Sequence, residues 1–393
     1  PRSGRQAGRH GLCCGRRPMN QYTIPTPTQP DTATAALADA RNAARLGQHE
    51  AVLHHAGLAC SLAERLSDVR LQAESRSLLS NSQFSLGRFG AALSQGGIAL
   101  ALWRQIGDVR QECQQLRVLS HALTDNDLTE PALELAQAAF ERAERAGETK
   151  QALFAATLLG SLHARLGDVD TAETVLLQVL SRARESSDDE LVTHVLNALT
   201  AALLEALRAH RAAGDPSASA SSAVLPRLRR HAYSLLQRCE TEANAFRRAI
   251  LRSNTGAALA ACGDSDRAET LLRASLAQCN GDAFRMVACK AHGRLAEVLL
   301  QRDAFDAAEQ ELAAVERLLE MEAQAAAAAD VVELRAELAR RRGDAELARC
   351  LGLRAAQARD ERARRAAALH ATWTAEALEL PARIDAMPHI LSA

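Results

Sequence analysis

The sequence predicts an all-α solenoid of about eight helical hairpins. Three observations carry this: a turn that returns every 40 residues, small residues at two fixed places around each turn, and a composition of helix formers with 3% aromatic residues. A chain of 393 residues is longer than one compact core usually serves, so it forms either several domains or a repeat array. The regular period selects the array.

The turns come first because they set the register. LGQHEAVL begins at Leu46, LGRFGAAL at Leu86, NDLTEPAL at Asn126 and LGDVDTAE at Leu166, each 40 residues after the last. CGDSDRAE at Cys262, RDAFDAAE at Arg302 and RGDAELAR at Arg342 repeat that interval. The longer gap between Gly167 and Gly263 holds one further unit with an insertion, whose turn is expected near Gly214, Asp215 and Pro216. Gly47, Gly87, Gly167, Gly263 and Gly343 can take the left-handed backbone that stops a helix, and Asp127 and Asp303 stand in the same place. Asp168, Asp170, Asp264, Asp266, Asp306 and Asp344 then lie at or near the start of the next helix. A carboxylate there caps free N–H groups and meets the positive end of the helix dipole, so recurrence at one repeat position reads as capping rather than catalysis.

Each hairpin next needs a place where its two helices cross. Seven residues before the turn residue stand Ala40, Ser80, Ser120, Gly160, Gly256, Ala296 and Ala336; five residues after it stand Val52, Ala92, Ala132, Ala172, Ala268, Ala308 and Ala348. Antiparallel helices approach closely only where bulk is missing, so the two series mark the contact between helix A and helix B of each unit. Leu79, Leu119, Leu159 and Leu295 share one neighbouring position and Leu123, Leu259 and Leu299 another, which gives each A helix an apolar stripe.

Leucine just before the first small residue, glycine at the turn and alanine five residues later resemble the tetratricopeptide repeat in its longer, 40-residue version, over residues 31–360. The pattern departs from the commoner form at the start of helix A, where Ala36, Arg76, Leu116 and Ala156 replace a bulky aromatic, and in lacking the closing proline. The resemblance implies a right-handed, TPR-like α-solenoid whose A helices line a concave surface open to a protein or peptide. Carried onto this chain, its groove-facing positions are Arg41, Asn81, His121 and Ser161 in one row, Ser77, Arg117 and Thr157 in a second, and Glu74 and Gln114 one turn earlier. Arginine and asparagine there suit the carboxylates and backbone of a peptide.

The organisation expected from composition follows. Residues 1–30 read as a disordered extension, with Met19 offering an alternative start and residues 1–18 preceding it. Residues 31–213 hold repeats 1–4 and helix A of repeat 5; 214–226, rich in small polar residues and bounded by proline, read as a flexible insertion; 227–370 hold the remaining repeats and a charged capping helix at Asp360–Ala368; 371–393 read as a tail that Pro381 and Pro388 keep from being helical.

Chemistry is scarce in this pattern. No phosphate loop, dinucleotide fingerprint, nucleophile elbow or zinc-protease helix is present, and His54, His55, His163, His194 and His292 are scattered. Nine cysteines, of which only Cys13 and Cys14 are close together, read as reduced and mostly buried thiols, and His10 with that pair reads as part of the extension rather than a metal site. A net charge of −1 from 47 basic and 48 acidic residues gives no field to gather nucleic acid, and the basic clusters at 225–231 and 362–365 read as solvated helix faces. No apolar run stands out as a membrane span or signal peptide. Trp103 and Trp373 read as packing anchors. The expectation is a cytoplasmic protein- or peptide-binding scaffold, not an enzyme, without cofactor or metal and without nucleic-acid or membrane partners. The alternative is a sensory or regulatory module of a bacterial signalling system, of the diguanylate cyclase or transcription-regulator type.

Overall fold

A computed structural model describes residues 29–212, 218–281, 284–320 and 325–385, and among the described residues it contains sixteen helices and no strand. The helices pair into eight hairpins: α1 (Gln29–Arg45) with α2 (His49–Leu66), α3 (Val69–Ser85) with α4 (Phe89–Ile106), α5 (Val109–Thr124) with α6 (Thr129–Ala146), and α7 (Thr149–Arg165) with α8 (Val169–Glu185). The second half repeats the plan with α9 (Asp189–Ala212) and α10 (Ala218–Cys239), α11 (Ala245–Ala261) and α12 (Ser265–Leu276), α13 (Arg285–Gln301) and α14 (Phe305–Glu320), and α15 (Ala325–Arg341) and α16 (Ala345–Asp385). Odd-numbered helices are the A helices. Each packs on the next A helix along the chain, whereas no comparable contact joins successive B helices, so the A helices lie on the inner side of the coil.

The turn and crossing residues do what their chemistry dictates. Every turn glycine of the series has positive φ, and Asp127 and Asp303 adopt the same conformation at φ 62° and 57°. Asp168 and Asp344 accept the backbone N–H groups of Thr171 and Leu347 at 3.2 and 2.9 Å. Asp264 departs from the expectation: its carboxylate caps no N–H and instead takes the hydroxyl of Tyr233 at 2.8 Å and the guanidinium of Arg267 at 3.1 Å.

At the crossings, the hydroxyls of Ser80 and Ser120 donate to the carbonyls of Ala92 and Ala132, both at 2.8 Å. A methyl group on Gly160 would sit 2.6 Å from Leu176 Cγ, and one on Gly256 would sit 2.9 Å from Leu272 Cγ. The close approach is therefore real, and in five of the hairpins the residue four places beyond the second crossing residue compensates for the size of its partner. Glycine at 160 and 256 faces leucine at 176 and 272; Ser80 faces Gly96, and Ala40 and Ser120 occupy hairpins whose equivalent residues are Ala56 and Ala136.

A second series of turns, between helix B and the next helix A, also keeps the 40-residue interval. Ser67, Gly107, Gly147 and Ser187 have positive φ and are followed by Asp68, Asp108, Glu148 and Asp188. Three of these acids cap the next helix, accepting from Leu71, Gln111 and Leu191 N–H at 2.9, 3.2 and 3.0 Å. A cation two residues further on reaches the corresponding acid of the following unit: Arg70 to Asp108 at 3.3 Å, Arg110 to Glu148 at 3.6 Å, and Lys150 to Asp188 at 2.8 Å. This ladder ties unit to unit along the rim formed by the N-terminal ends of the A helices.

Two expectations of the domain plan need correction, the insertion and the tail, and the length of α9 has a local cause. Residues 218–226 of the segment read as a flexible insertion are the first turns of α10, because Val224 and Leu228 are buried and anchor a helix that alanine and serine permit; 213–217 lie outside the described residues. α9 has 24 residues against 16 or 17 for the other A helices, since Leu207, fully buried, stands where a turn glycine would stop it. α16 runs through residues 371–385 and past Pro381, so the predicted tail is helix to Asp385, and the helix does not cap the stack but leaves it. Proline inside a helix forfeits one hydrogen bond and bends the helix without necessarily ending it. Residues 1–28, with Cys13, Cys14 and His10, lie outside the described residues.

Contrary to the sequence reading, one helix, over Asp189–Arg208, is long and apolar enough by composition to cross a membrane, but two thirds of it is buried inside the array. Cys60, Cys113, Cys239 and Cys289 are buried, and burial pushes the Cys60 and Cys113 thiols up to about 11.

Candidate ligand-binding face

The inner face is built by residues that point away from the A–B crossing, seven residues before each turn. Register fixes which these are: on an α-helix, positions three and six places N-terminal to the crossing, and one place C-terminal to it, share the adjoining surface. The sequence-predicted residues fall into three groups when placed there.

The first group is paired with side chains on neighbouring helices. Arg41 on α1 forms an ion pair with Glu74 on α3. Ser77 accepts a hydrogen bond at 2.9 Å from the indole N–H of Trp103, which is fully buried. The second group bonds its own helix. Thr157 is buried, with its hydroxyl on the carbonyl of Leu153 at 2.8 Å, and the hydroxyl of Ser161 donates to the carbonyl of Thr157 at 3.1 Å. Asn81 is half-buried and Gln114 exposed, and the structure brings neither to another predicted residue.

The third group forms the middle of the face. Arg117 on α5 donates to Gln151 Oε1 on α7 at 3.0 Å and lies over the ring of Phe154, 4.7 Å from its centroid. Burial draws its guanidinium down to about 10. His121, one turn further along α5, is open to the hollow yet walled by protein on its other sides, and that enclosure lowers its pKa. His194 on α9 shares this setting. Its ring meets Phe154 edge to face at 5.3 Å, and enclosure, followed by the nearby His121, Arg117 and Arg247, brings its pKa down to about 4.

Sequence reasoning stopped at the fourth unit and so missed the continuation. Asn254 Nδ2 on α11 donates to Asn197 Oδ1 on α9 at 2.8 Å. Arg294 on α13 in turn donates to Asn254 Oδ1 and Ser253 Oγ, both at 2.7 Å. Burial lowers Arg294 to about 10. Arg208, near the end of α9, pairs with Glu297 on α13 at 3.0 Å. On α11 and α13 the signal was already present in the crossing residues Gly256 and Ala296; on α9 it is Thr200, buried at the crossing position 40 residues after Gly160. Aligned on it, His194 and Asn197 fall in the same rows as Glu74 and Ser77.

Arg117 and Arg294 thus share an unusual condition. Both are half-buried cations held by neutral partners, and among the described residues neither has a carboxylate within ion-pair distance. Removing a charge from water without a counter-ion is costly, so an anionic group arriving at either one would complete it. Among the described residues no group of three or more histidine, cysteine, aspartate or glutamate side chains is placed to hold a metal.

Comparison with known proteins bears on the fold. No protein-family profile matches the chain, and neither does any curated protein sequence. Two solved structures are similar over most of their length. One is a Rap protein complexed with competence and sporulation factor, with TM-score 0.53 and 13% identity, covering 75% of this chain and 77% of that one. The other is the Rap conjugation gene regulator of plasmid pLS20 in complex with a Phr peptide, with TM-score 0.55 and 12% identity, covering 86% and 97%. Eight stacked hairpins, small-residue crossings and inward A helices make this chain a solenoid with the tetratricopeptide-repeat fold.

Proposed function

We propose that the protein binds a peptide carrying an acidic group on the inner face of its A helices, and acts as a scaffold or regulator rather than an enzyme, in the cytoplasm. The observation that carries this reading is the pair of half-buried guanidiniums, Arg117 and Arg294, satisfied only by amides, a hydroxyl and an aromatic ring. Between them in sequence lie Asn197 and Asn254, whose amides suit the alternating donors and acceptors of a peptide backbone. That both similar structures were solved with a bound factor, in the second a peptide, supports the same reading. A regulatory role gains support from the second of them, described as a gene regulator.

The test uses fluorescein-labelled pools of pentapeptides, with and without aspartate or glutamate, and fluorescence anisotropy on the full chain. A hydrogen bond to a charged group contributes about 1.5–3 kcal/mol, so Arg117→Gln and Arg294→Gln should each weaken the acidic pool by roughly 10- to 100-fold. The neutral pool should change little. Equal affinity of wild type and both variants for the acidic pool would sink the proposal.

A further inference from the structure

α16 is longer than its hairpin requires. Up to Arg359 it pairs with α15: Leu351 and Ala355 are buried and Arg359 forms an ion pair with Glu333. Beyond that point the helix leaves the eighth unit and packs against α4, in the second. A single stripe does the docking. Arg362, Ala366, Leu369 and Trp373 recur at helical spacing, so they share one side of the helix. Arg362 holds Asp127 with two hydrogen bonds, one of 2.6 Å, at a carboxylate that Arg165 also approaches at 3.4 Å. Ala366, Leu369 and Trp373 lie on the apolar cluster that includes Leu93, Leu116 and Leu128.

The consequence is a chain that closes on itself. Residues 235 positions apart in sequence meet, and the coil becomes a loop with α16 as its fastening. Between that helix and the inner face of the later units lies a cavity of about 470 Å³, lined on one side by Arg208, Cys289 and Arg294 and on the other by Arg362 and Arg365. Arg294 is one of the two cations on which the binding proposal rests.

We infer that α16 beyond Arg359 is a strap that closes the hollow over this cavity and opens to admit ligand. Its fastening suits a reversible device. The ion pair joins partly exposed groups, and the apolar stripe that follows is only partly buried, so the two halves of the latch are each weak and release together. The strap's bearing on binding rests on the inner-face reading, but its movement is measurable without any ligand.

Cys289 is the reporter, since it is buried and lines the cavity. Alkylation by N-ethylmaleimide, followed thiol by thiol by mass spectrometry on the full chain, reads its access to solvent. Arg362→Glu breaks the polar half of the latch and the double variant Leu369→Ala/Trp373→Ala the apolar half. Each should speed alkylation of Cys289 at least tenfold, with Cys60 and Cys239, buried elsewhere, held at wild-type rates; Arg362→Lys should preserve much of the protection. An unchanged Cys289 rate in both variants overturns the inference. Acceleration of Cys60 and Cys239 in parallel also overturns it, because that is general loosening. Loss of wild-type protection on dilution overturns the intramolecular strap in favour of one exchanged between two copies. Failure of the pentapeptide pools to bind leaves these rates as they are, so the two proposals stand or fall separately.

Discussion

Gly160→Ala tests the packing rule on which the whole array depends. Two effects of known sign oppose each other at this site. Replacing glycine by alanine inside a helix favours the helix by about 1 kcal/mol. Against that, the new methyl would lie 2.6 Å from Leu176 Cγ, 2.9 Å from its Cδ2 and 3.3 Å from the carbonyl oxygen of Ala172. Leu176 is fully buried, so it has nowhere to retreat, and overpacking of this kind costs about 1–3 kcal/mol. The net expectation is destabilisation by about 1 kcal/mol. Gly57→Ala is the control: it is also helical, has nothing within 4 Å of the added methyl, and should be stabilising. The decisive variant is the pair. Leu176→Ala alone should cost about 2–5 kcal/mol, but in its background Gly160→Ala has room, and the helix preference should reappear as a gain. That sets a coupling energy of about 1–3 kcal/mol between residues 16 positions apart. Repeats contact mainly their neighbours and need not unfold in one step, so the measurement is hydrogen exchange of α7 and α8 amides beside urea unfolding. Additivity of the two changes within about 0.5 kcal/mol would refute the crossing argument, as would stabilisation by Gly160→Ala alone.

Two further predictions follow from the rim and the hollow. Asp108→Ala removes the cap of α5 and the partner of Arg70, and should cost about 1 kcal/mol, mostly from the cap; Asp108→Asn keeps an acceptor and should cost only a few tenths, as read by hydrogen exchange at the start of α5. His194 has its folded pKa lowered from 6.5 to about 4, so between those values the unfolded chain binds more protons than the folded one. The contribution of His194 to stability should therefore level off above pH 6.5 and be lost as pH drops towards 4, so that stability falls less in His194→Gln, measured as the urea midpoint at pH 7 and pH 5. An identical midpoint shift in wild type and variant would count against the enclosed, cation-facing setting of that ring.

The period was legible because each hairpin is a local object. Turn geometry, caps and crossings are decided by residues within a dozen positions of one another, and Gly160 with Ala172, or Ser120 with Ala132, needs no knowledge of the rest of the chain. The inner face was legible only in part. Position in the repeat placed Arg117 and His121 on this face, but it could not tell Thr157, which bonds its own helix, from Ser77, which serves a buried tryptophan near the far end of the next helix. Side chains at one register position meet different neighbours as the helices tilt. The fifth unit was lost because Leu207 replaces a turn glycine, and with it went His194 and Asn197.

What no local pattern encodes is closure. Whether the eighth unit returns to the second depends on the small rotation between successive hairpins, summed over the whole array, and a few degrees per unit would carry Arg362 past Asp127 altogether. The stripe at 362, 366, 369 and 373 was visible as helical spacing, yet its partner could only be found by following the coil around. It also places the array's sensitivity where it is least expected: a substitution at any crossing, by altering one rotation, shifts the far end relative to α4. Gly160→Ala should then disturb not only α7 and α8 but also the protection of Cys289, more than 100 residues away, and Leu176→Ala in the same chain should bring that protection partway back.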